Sequence, residues 1–338
     1  MDELAESRQR ALRNQGWLYG ERLHRIGHPF EWLDGEVDNP NLSSQTGISG
    51  FIQNLSMFFD RFETPESVTA PGEDRARQLV ESELQKAVDY FVPFGAGTGL
   101  DLSRYISTTA SVRAQDYAFL TRYCDLPSGS GLTHLDVGPG LGSAAIYSRH
   151  LLDSRYIALE TVPTLYSIQR DFLRFLAQGQ AGIFDVAAAE WFGVDPARSM
   201  VMALEDDACR FVQLPSWHAG ALPPESVDLV TCCWVLNEAP VAAVFWILSH
   251  LTRVVRRGGH VYIRDGRRMK PGAHSYDSML EDLGFRCIAD PGVKNRKDMQ
   301  GIPRAYLYEN PAPVSFDEMC ARFLGELEAP VHLAYNRR

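Results

Sequence analysis

The stretch Leu135-Asp136-Val137-Gly138-Pro139-Gly140-Leu141-Gly142 decides how this chain reads. It follows an apolar run and precedes a helix-forming one, which makes it the elbow between a strand and a helix. Glycines at 138, 140 and 142 let the backbone turn sharply and approach a ligand that a Cβ atom would push away. The helix start that follows adds exposed N–H donors. A dinucleotide fingerprint would place its third glycine at the sixth position of G-x-G-x-x-G, where this chain has Ser143. Outward from the elbow, Ser143 to Leu152 carries apolar residues at helical spacing. Arg155-Tyr156-Ile157-Ala158-Leu159-Glu160 then reads as a second buried strand ending in an acid. Glu160 lies 18 residues beyond Gly142. That is close to the roughly 20-residue interval at which an acid at the next strand's tip accepts hydrogen bonds from ribose hydroxyls.

With Asp136 two residues before Gly138, the loop resembles the first motif of the class I methyltransferases that use S-adenosylmethionine (SAM). Later segments carry the same resemblance. Arg210 to Leu214 is similar to the family's third strand, and Pro215-Ser216-Trp217 follows where relatives contact adenine. Many relatives have an Asp at that strand end; here Ser216 aligns with it, and Trp217 is available to cover the ring's face. Pro224 to Glu238 resembles the fourth strand in its form of an acid, an apolar run and then Val235-Leu236. A helix from Val241 to Val255, the turn Arg256-Arg257-Gly258-Gly259 and a strand from His260 to Arg264 come next. Ser278 to Leu283 reads as a helix, and Gly284 to Ile288 and Ala305 to Tyr308 read as strands. The resemblance covers roughly Thr133 to Asn310. It implies an α/β, Rossmann-like, seven-stranded sheet with the last strand antiparallel, and SAM as cofactor. Asp136, Gly138, Gly140, Gly142, Glu160, Ser216, Trp217, Cys232 and Cys233 are then the expected cofactor contacts, the two cysteines through their backbone.

With 33 basic and 43 acidic residues the net charge is -10, which repels a phosphate backbone and argues against nucleic acid as methyl acceptor. The six cysteines form no C-x-x-C pair, and reduced thiols are expected. Neither a secretory leader nor a run of about 18 apolar residues is evident. A cytoplasmic protein with no membrane partner is therefore expected. Arginine (29) far outnumbers lysine (4), a bias that GC-rich bacterial genomes produce.

Residues 1–110 contain helical runs at Leu4 to Leu23, Ile48 to Phe62 and Glu73 to Phe91, with turn-rich breaks between them. An N-terminal all-helical cap or lid is expected there, also a place for dimerisation. Gly95 to Gly99 reads as a hinge. A methyltransferase domain over 111–310 follows, entered by a helix from Ala110 to Cys124, and then a C-terminal helix and tail over 311–338. About 48 residues separate the second and third strands, more than one crossover helix needs, so an insertion is placed near 179–208. Pro163 to Ala177 fills the ordinary helix of that connection; within the insertion Ile183 to Phe192 forms another, and Trp191, Phe192 and Asp195 lie near the acceptor mouth or on a packing surface.

Methyl transfer from a sulfonium is an in-line displacement, so the protein must align the acceptor atom with the S–CH3 bond and exclude water. A base is needed only when the acceptor loses its proton during attack. Ligands gather at the C-terminal strand edge of open α/β sheets, which makes Glu238, His218 and Asp265 the catalytic candidates and Asn237 and Trp234 the substrate contacts. Glu238 would act as base toward a hydroxyl or as counter-ion to a cation, or else as an ordinary acid at a helix start. Adjacent Cys232 and Cys233 face opposite sides of a strand and show no metal-ligand spacing; no metal is expected. The reading is an O- or N-methyltransferase for a small polar metabolite, a secondary metabolite, sugar or amino-acid-like acceptor. It resembles enzymes of bacterial natural-product biosynthesis, with a homodimer left open. The alternatives are a nicotinamide-dependent dehydrogenase and a SAM-binding regulatory protein without catalysis.

Overall fold

The computed structural model describes residues 6, 72–91, 102–126, 131–178, 182–236, 239, 241–265, 276–290 and 302–323. The helical runs expected at Leu4 to Leu23 and Ile48 to Phe62 and the hinge at Gly95 to Gly99 lie outside them, Glu6 apart.

Among the described residues the chain runs α1 (Glu73–Phe91), α2 (Ser103–Tyr123), β1 (Thr133–Val137), α3 (Ala144–His150), β2 (Arg155–Glu160), α4 (Pro163–Ala177), β3 (Gly182–Asp185), α5 (Val186–Trp191), α6 (Pro196–Glu205), β4 (Cys209–Pro215), a 3-10 turn (Ser216–Ala221), β5 (Val227–Cys233), α7 (Val241–Val254), β6 (Val255–Asp265), α8 (Tyr276–Asp282), β7 (Phe285–Ala289), β8 (Ile302–Tyr308) and α9 (Phe316–Phe323). The strands form one sheet in the order β3-β4-β2-β1-β5-β6-β8-β7. Strands β3 to β6 in that order pair in parallel, and β8 runs antiparallel between β6 and β7. The expected methyltransferase sheet is therefore present with one strand more. Ile183 to Asp185, expected to begin a helix, instead belong with Gly182 to a parallel edge strand beside β4. Its four residues are all half-buried, a pattern that resembles a short amphipathic helix when only the sequence is read.

The strand alternation sorts side chains onto two faces. Leu135, Ile157, Val212, Val230 and Val261 point to one face and pack with Phe245, Leu248 and Leu251 of α7 and with Met279, Phe316 and Met319. Tyr156, Ala158, Phe211, Leu229 and Tyr262 point to the other and pack with α1 through Val80 and Leu84, with Ile106 and Leu120 of α2, and with α3. Helix α2 begins at Ser103, earlier than expected, and runs through residue 110. Helices α1 and α2 thus share a core with the sheet.

Local signals explain the boundaries. Pro163 sits in the first turn of α4, where its missing N–H costs nothing, and Gln178 closes it in the left-handed region at φ 48°. Asp185 caps α5 by accepting from Ala188 N at 3.0 Å, and Asp195 caps α6 by accepting from Arg198 N at 2.9 Å. Beyond β8, the Tyr308 hydroxyl donates to Thr252 O at 2.7 Å, and Thr252 Oγ1 accepts from Val314 N at 3.0 Å. These bonds seat α9 on α7.

Candidate functional site

The glycine elbow leaves β1 at its C-terminal end. Gly138, Gly140 and Gly142 all have left-handed backbones, at φ 60°, 60° and 80°. Two of them are required for different reasons. A Cβ on Gly138 would lie 2.5 Å from Val235 Cγ2, so the loop after β5 comes too close for any side chain. A Cβ on Gly140 would meet nothing within 4 Å among the described residues; its side of the loop is clear of them, and its φ is the constraint.

Asp136 is buried beneath this elbow. Its two oxygens accept from the Tyr156 hydroxyl and from Thr231 Oγ1, each at 2.6 Å, tying β1 to β2 and β5. Thr231 also lies 2.7 Å from Nε2 of the fully buried His134, whose Nδ1 is 2.9 Å from Ser148 Oγ. Burial, with help from Arg113, pushes the His134 imidazole down to about 3. It is a neutral link in the chain.

Glu160 ends β2 and is 3% exposed. Its Oε1 accepts from the Thr161 and Val162 N–H groups at 2.8 and 2.9 Å, and its Oε2 from Gln169 Nε2 at 2.8 Å. The same Gln169 nitrogen donates to the Gly140 carbonyl. Burial pushes the Glu160 carboxyl up to about 7, against the pull of these donors. Gln169 was not among the expected residues. Its signal in the sequence is a lone amide in the buried stripe Tyr166, Gln169, Leu173, Leu176 of α4, where an apolar residue is the norm.

Beyond β4, Ser216 Oγ accepts from Thr161 Oγ1 at 2.9 Å, joining the tips of β2 and β4. Trp217 is buried with Tyr166 and Ala187, so its ring fills the space under the insertion. His218 Nε2 is 2.9 Å from Glu190 Oε2 of α5, which links this turn to the insertion. Trp191 and Phe192 are exposed beside it, Phe192 at 82%, and Asp195 is the cap of α6.

At the end of β5 the two thiols point to opposite faces, Cys232 into the α7 core and Cys233 toward α2. Burial pushes both well above the ordinary thiol range, so neither is poised as a thiolate nucleophile. Trp234 follows with a left-handed backbone, φ 58°. Its N–H donates to Arg264 O at 2.8 Å, and the Arg264 guanidinium lies 5.9 Å from its ring centroid. Asp265 is fully buried and accepts from Leu236 N at 3.0 Å, which fixes the segment leading to residues 237 and 238. Asn237 and Glu238 themselves lie outside the described residues.

A second set of residues absent from the sequence expectations flanks the elbow. Arg113 of α2 donates from Nε to Ser143 Oγ at 2.9 Å and from Nη1 to Asp116 at 2.8 Å. Asp116, fully buried, also receives Arg264 Nε at 2.7 Å and the Tyr262 hydroxyl. At the opposite strand edge a cavity of about 430 Å³ is lined by Asp125, Asp228, Arg256, Arg257 and His260. Arg256 is paired there with Asp228 at 2.9 Å. Among the described residues no three His, Cys, Asp or Glu side chains converge as a metal site, and no helix is long and apolar enough to cross a membrane.

Residues 176–263 match the model of a methyltransferase domain. No curated protein matches the chain in sequence. The chain is similar to solved structures of methyltransferases at low identity. One is geranyl diphosphate C-methyltransferase from Streptomyces coelicolor A3(2), at 11% identity and TM-score 0.42, covering 72% of this chain and 99% of that one. Another is magnesium protoporphyrin IX methyltransferase from Synechocystis, at 14% and 0.40, covering 72% and 100%. A third is a SAM-dependent methyltransferase from Aquifex aeolicus, at 15% and 0.35, covering 59% and 98%.

Proposed function

We propose that this chain, a class I SAM-dependent methyltransferase by its matched domain and strand order, methylates an oxygen or nitrogen of a small polar metabolite. The observation that carries the cofactor half of this reading is the buried Glu160, joined through Gln169 to the Gly140 carbonyl at the sheet edge where ligands gather. In it, Gly138 to Gly142 face the methionine part and Glu160 accepts the ribose hydroxyls. Ser216 and the turn carrying Trp217 border the adenine, and the backbone at Cys232 and Cys233 lies along the methionine chain. Asp136 acts from beneath, by holding the elbow to its neighbours.

The acceptor half rests on charge and position. A net charge of -10 disfavours a nucleic acid, and the loop after β5 leads to Asn237 and Glu238, with Trp234 before them. Asp265 positions that loop through Leu236, and His218, held by Glu190, is the further candidate at the end of β4. In the reaction the S–CH3 bond breaks as the bond to the acceptor forms, and S-adenosylhomocysteine (SAH) leaves. A hydroxyl acceptor passes its proton to Glu238, whereas a neutral amine needs no base at this step.

Mass spectrometry of protein denatured straight from expression should find SAM or SAH; a nicotinamide cofactor instead would overturn the reading. Label from methyl-labelled SAM should then pass to a sugar, amine or amino-acid-like acceptor. SAH binding with no transfer to any panel of acceptors would favour a regulatory role. With the acceptor in hand, Glu238→Gln should keep SAM affinity and lower kcat roughly 100-fold for a hydroxyl acceptor. For a cationic acceptor it should mainly raise KM.

A further inference from the structure

We infer that Gln169 is a positioning residue for the cofactor's ribose, its one amide group holding the Gly140 carbonyl and the Glu160 carboxylate in a common register. The inference rests on the reading of Glu160 as ribose acceptor. Gln169 is fully buried in α4, and its Nε2 donates to both groups. Both partners are acceptors, so the amide cannot be turned over. Its Oε1 is buried with no hydrogen-bond partner among the described residues. An orphaned buried acceptor is a cost that a Met or Leu in the same stripe would avoid, and such groups persist where the fold over-determines them for a task. The task visible here is at the other end of the amide.

Glu160 Oε1 already accepts from two backbone N–H groups, so Oε2 is the oxygen with capacity for a ribose hydroxyl, and Gln169 fixes where it points. The amide also acts on charge. The groups facing Glu160 are Asp136 from β1, the Thr161 and Val162 N–H groups, with Thr161 in turn bonded to Ser216, and Gln169 from α4. Burial and Asp136 favour the neutral acid; Gln169 favours the carboxylate, the form whose Oε2 accepts from a ribose hydroxyl.

The test is SAH affinity measured calorimetrically from pH 5.5 to 9 on the full chain. Wild-type affinity should fall as pH drops through about 7, and this step should vanish in Glu160→Gln. Gln169→Met keeps length and burial but has no donor. It should weaken SAH about tenfold at pH 7 and move the step upward by about one pH unit, the scale of one lost hydrogen bond to the charged form. Gln169→Glu should also move the step upward, because two adjacent carboxyls share a proton; it keeps the test open if the Met variant fails to fold. Weaker binding with the step unmoved in the folded variants would reduce Gln169 to a structural role and overturn the inference. If instead Glu160→Ala and Glu160→Gln both bind SAH like the wild type at every pH, the ribose reading of Glu160 fails first.

Discussion

On the face covered by α7, Leu135, Ile157, Val212, Val230 and Val261 meet Phe245, Leu248 and Leu251, and the packing is apolar. On the face covered by α2 and α3, alternate residues of the same strands include His134, Asp136, Thr231, Tyr262 and Arg264. The first face needs volume and tolerates exchange of one apolar shape for another. The second needs named partners. Asp116 holds two guanidinium groups and a hydroxyl, and Asp136 holds a hydroxyl from each neighbouring strand. The glycine elbow rises from the same end of the sheet. Beneath the elbow the sheet is thus held by directional bonds set among apolar packing, whereas on the α7 side it is held mainly by apolar packing.

The contrast is sharpest in paired substitutions. Asp116→Ala leaves Arg113 and Arg264 with an unmatched buried charge and should cost about 3 to 5 kcal/mol in denaturant unfolding. It should also weaken SAH, because Arg113 loses the partner that aims it at Ser143. Leu248→Ala, on the apolar face, should cost about 3 kcal/mol as a cavity while the folded fraction binds SAH normally. Equal effects on SAH from the two would break the division of labour.

Gly140→Val should leave far-UV circular dichroism near the wild type and weaken SAH by about 100-fold or more. A β-branched residue cannot hold φ near 60° without strain, and its side chain would enter the open approach. Unchanged affinity by calorimetry would remove the elbow from the site. Glu160→Ala should weaken SAH by roughly 1 to 3 kcal/mol, the scale of charged hydrogen bonds. The exposed Glu281→Ala serves as its reference and should change nothing measurable.

The smallest effect is a pH slope. His134, held down to about 3 from an ordinary 6.5, contributes stability above pH 6.5 that is lost as pH falls. Glu160, raised from 4.5 to about 7, has the opposite sign: it favours the fold below 4.5 and loses that contribution as pH rises through 7. Between pH 7 and 5 the two oppose each other. Glu160→Gln should therefore lose stability more steeply than the wild type over that interval, as read from melting temperatures.

The elbow, the acid at 160 and every strand of the sheet except β3 were legible because each is a local pattern, a glycine spacing or an apolar run with a turn after it. Strand β3 was hidden because four half-buried residues carry no period long enough to separate strand from helix. The partners of Asp116 were hidden for a different reason. Tyr262 and Arg264 are nearly 150 residues away, and no periodicity links them. Gln169 left a trace, an amide in an apolar stripe, but its meaning depends on the Gly140 carbonyl above it. Glu238 and Asn237 follow a legible strand, yet what they touch depends on an acceptor that no local pattern encodes.

The distance between Asp116 and Tyr262 along the chain also sets a timetable. The bond joining them closes a loop of 146 residues, and α2 leaves the ribosome long before β6 exists. Asp116 pairs with Arg113 inside its own helix, but its bonds to Tyr262 and Arg264 must wait for that closure, which is slow in parallel, non-local folds. The polar face is then the last part to assemble and the first to come apart, and substitutions in it should speed unfolding and scarcely slow folding. Bound SAM, resting on that late-formed edge, would act as a brake on unfolding. The lifetime of the native chain would then rise and fall with the cell's supply of its own methyl donor.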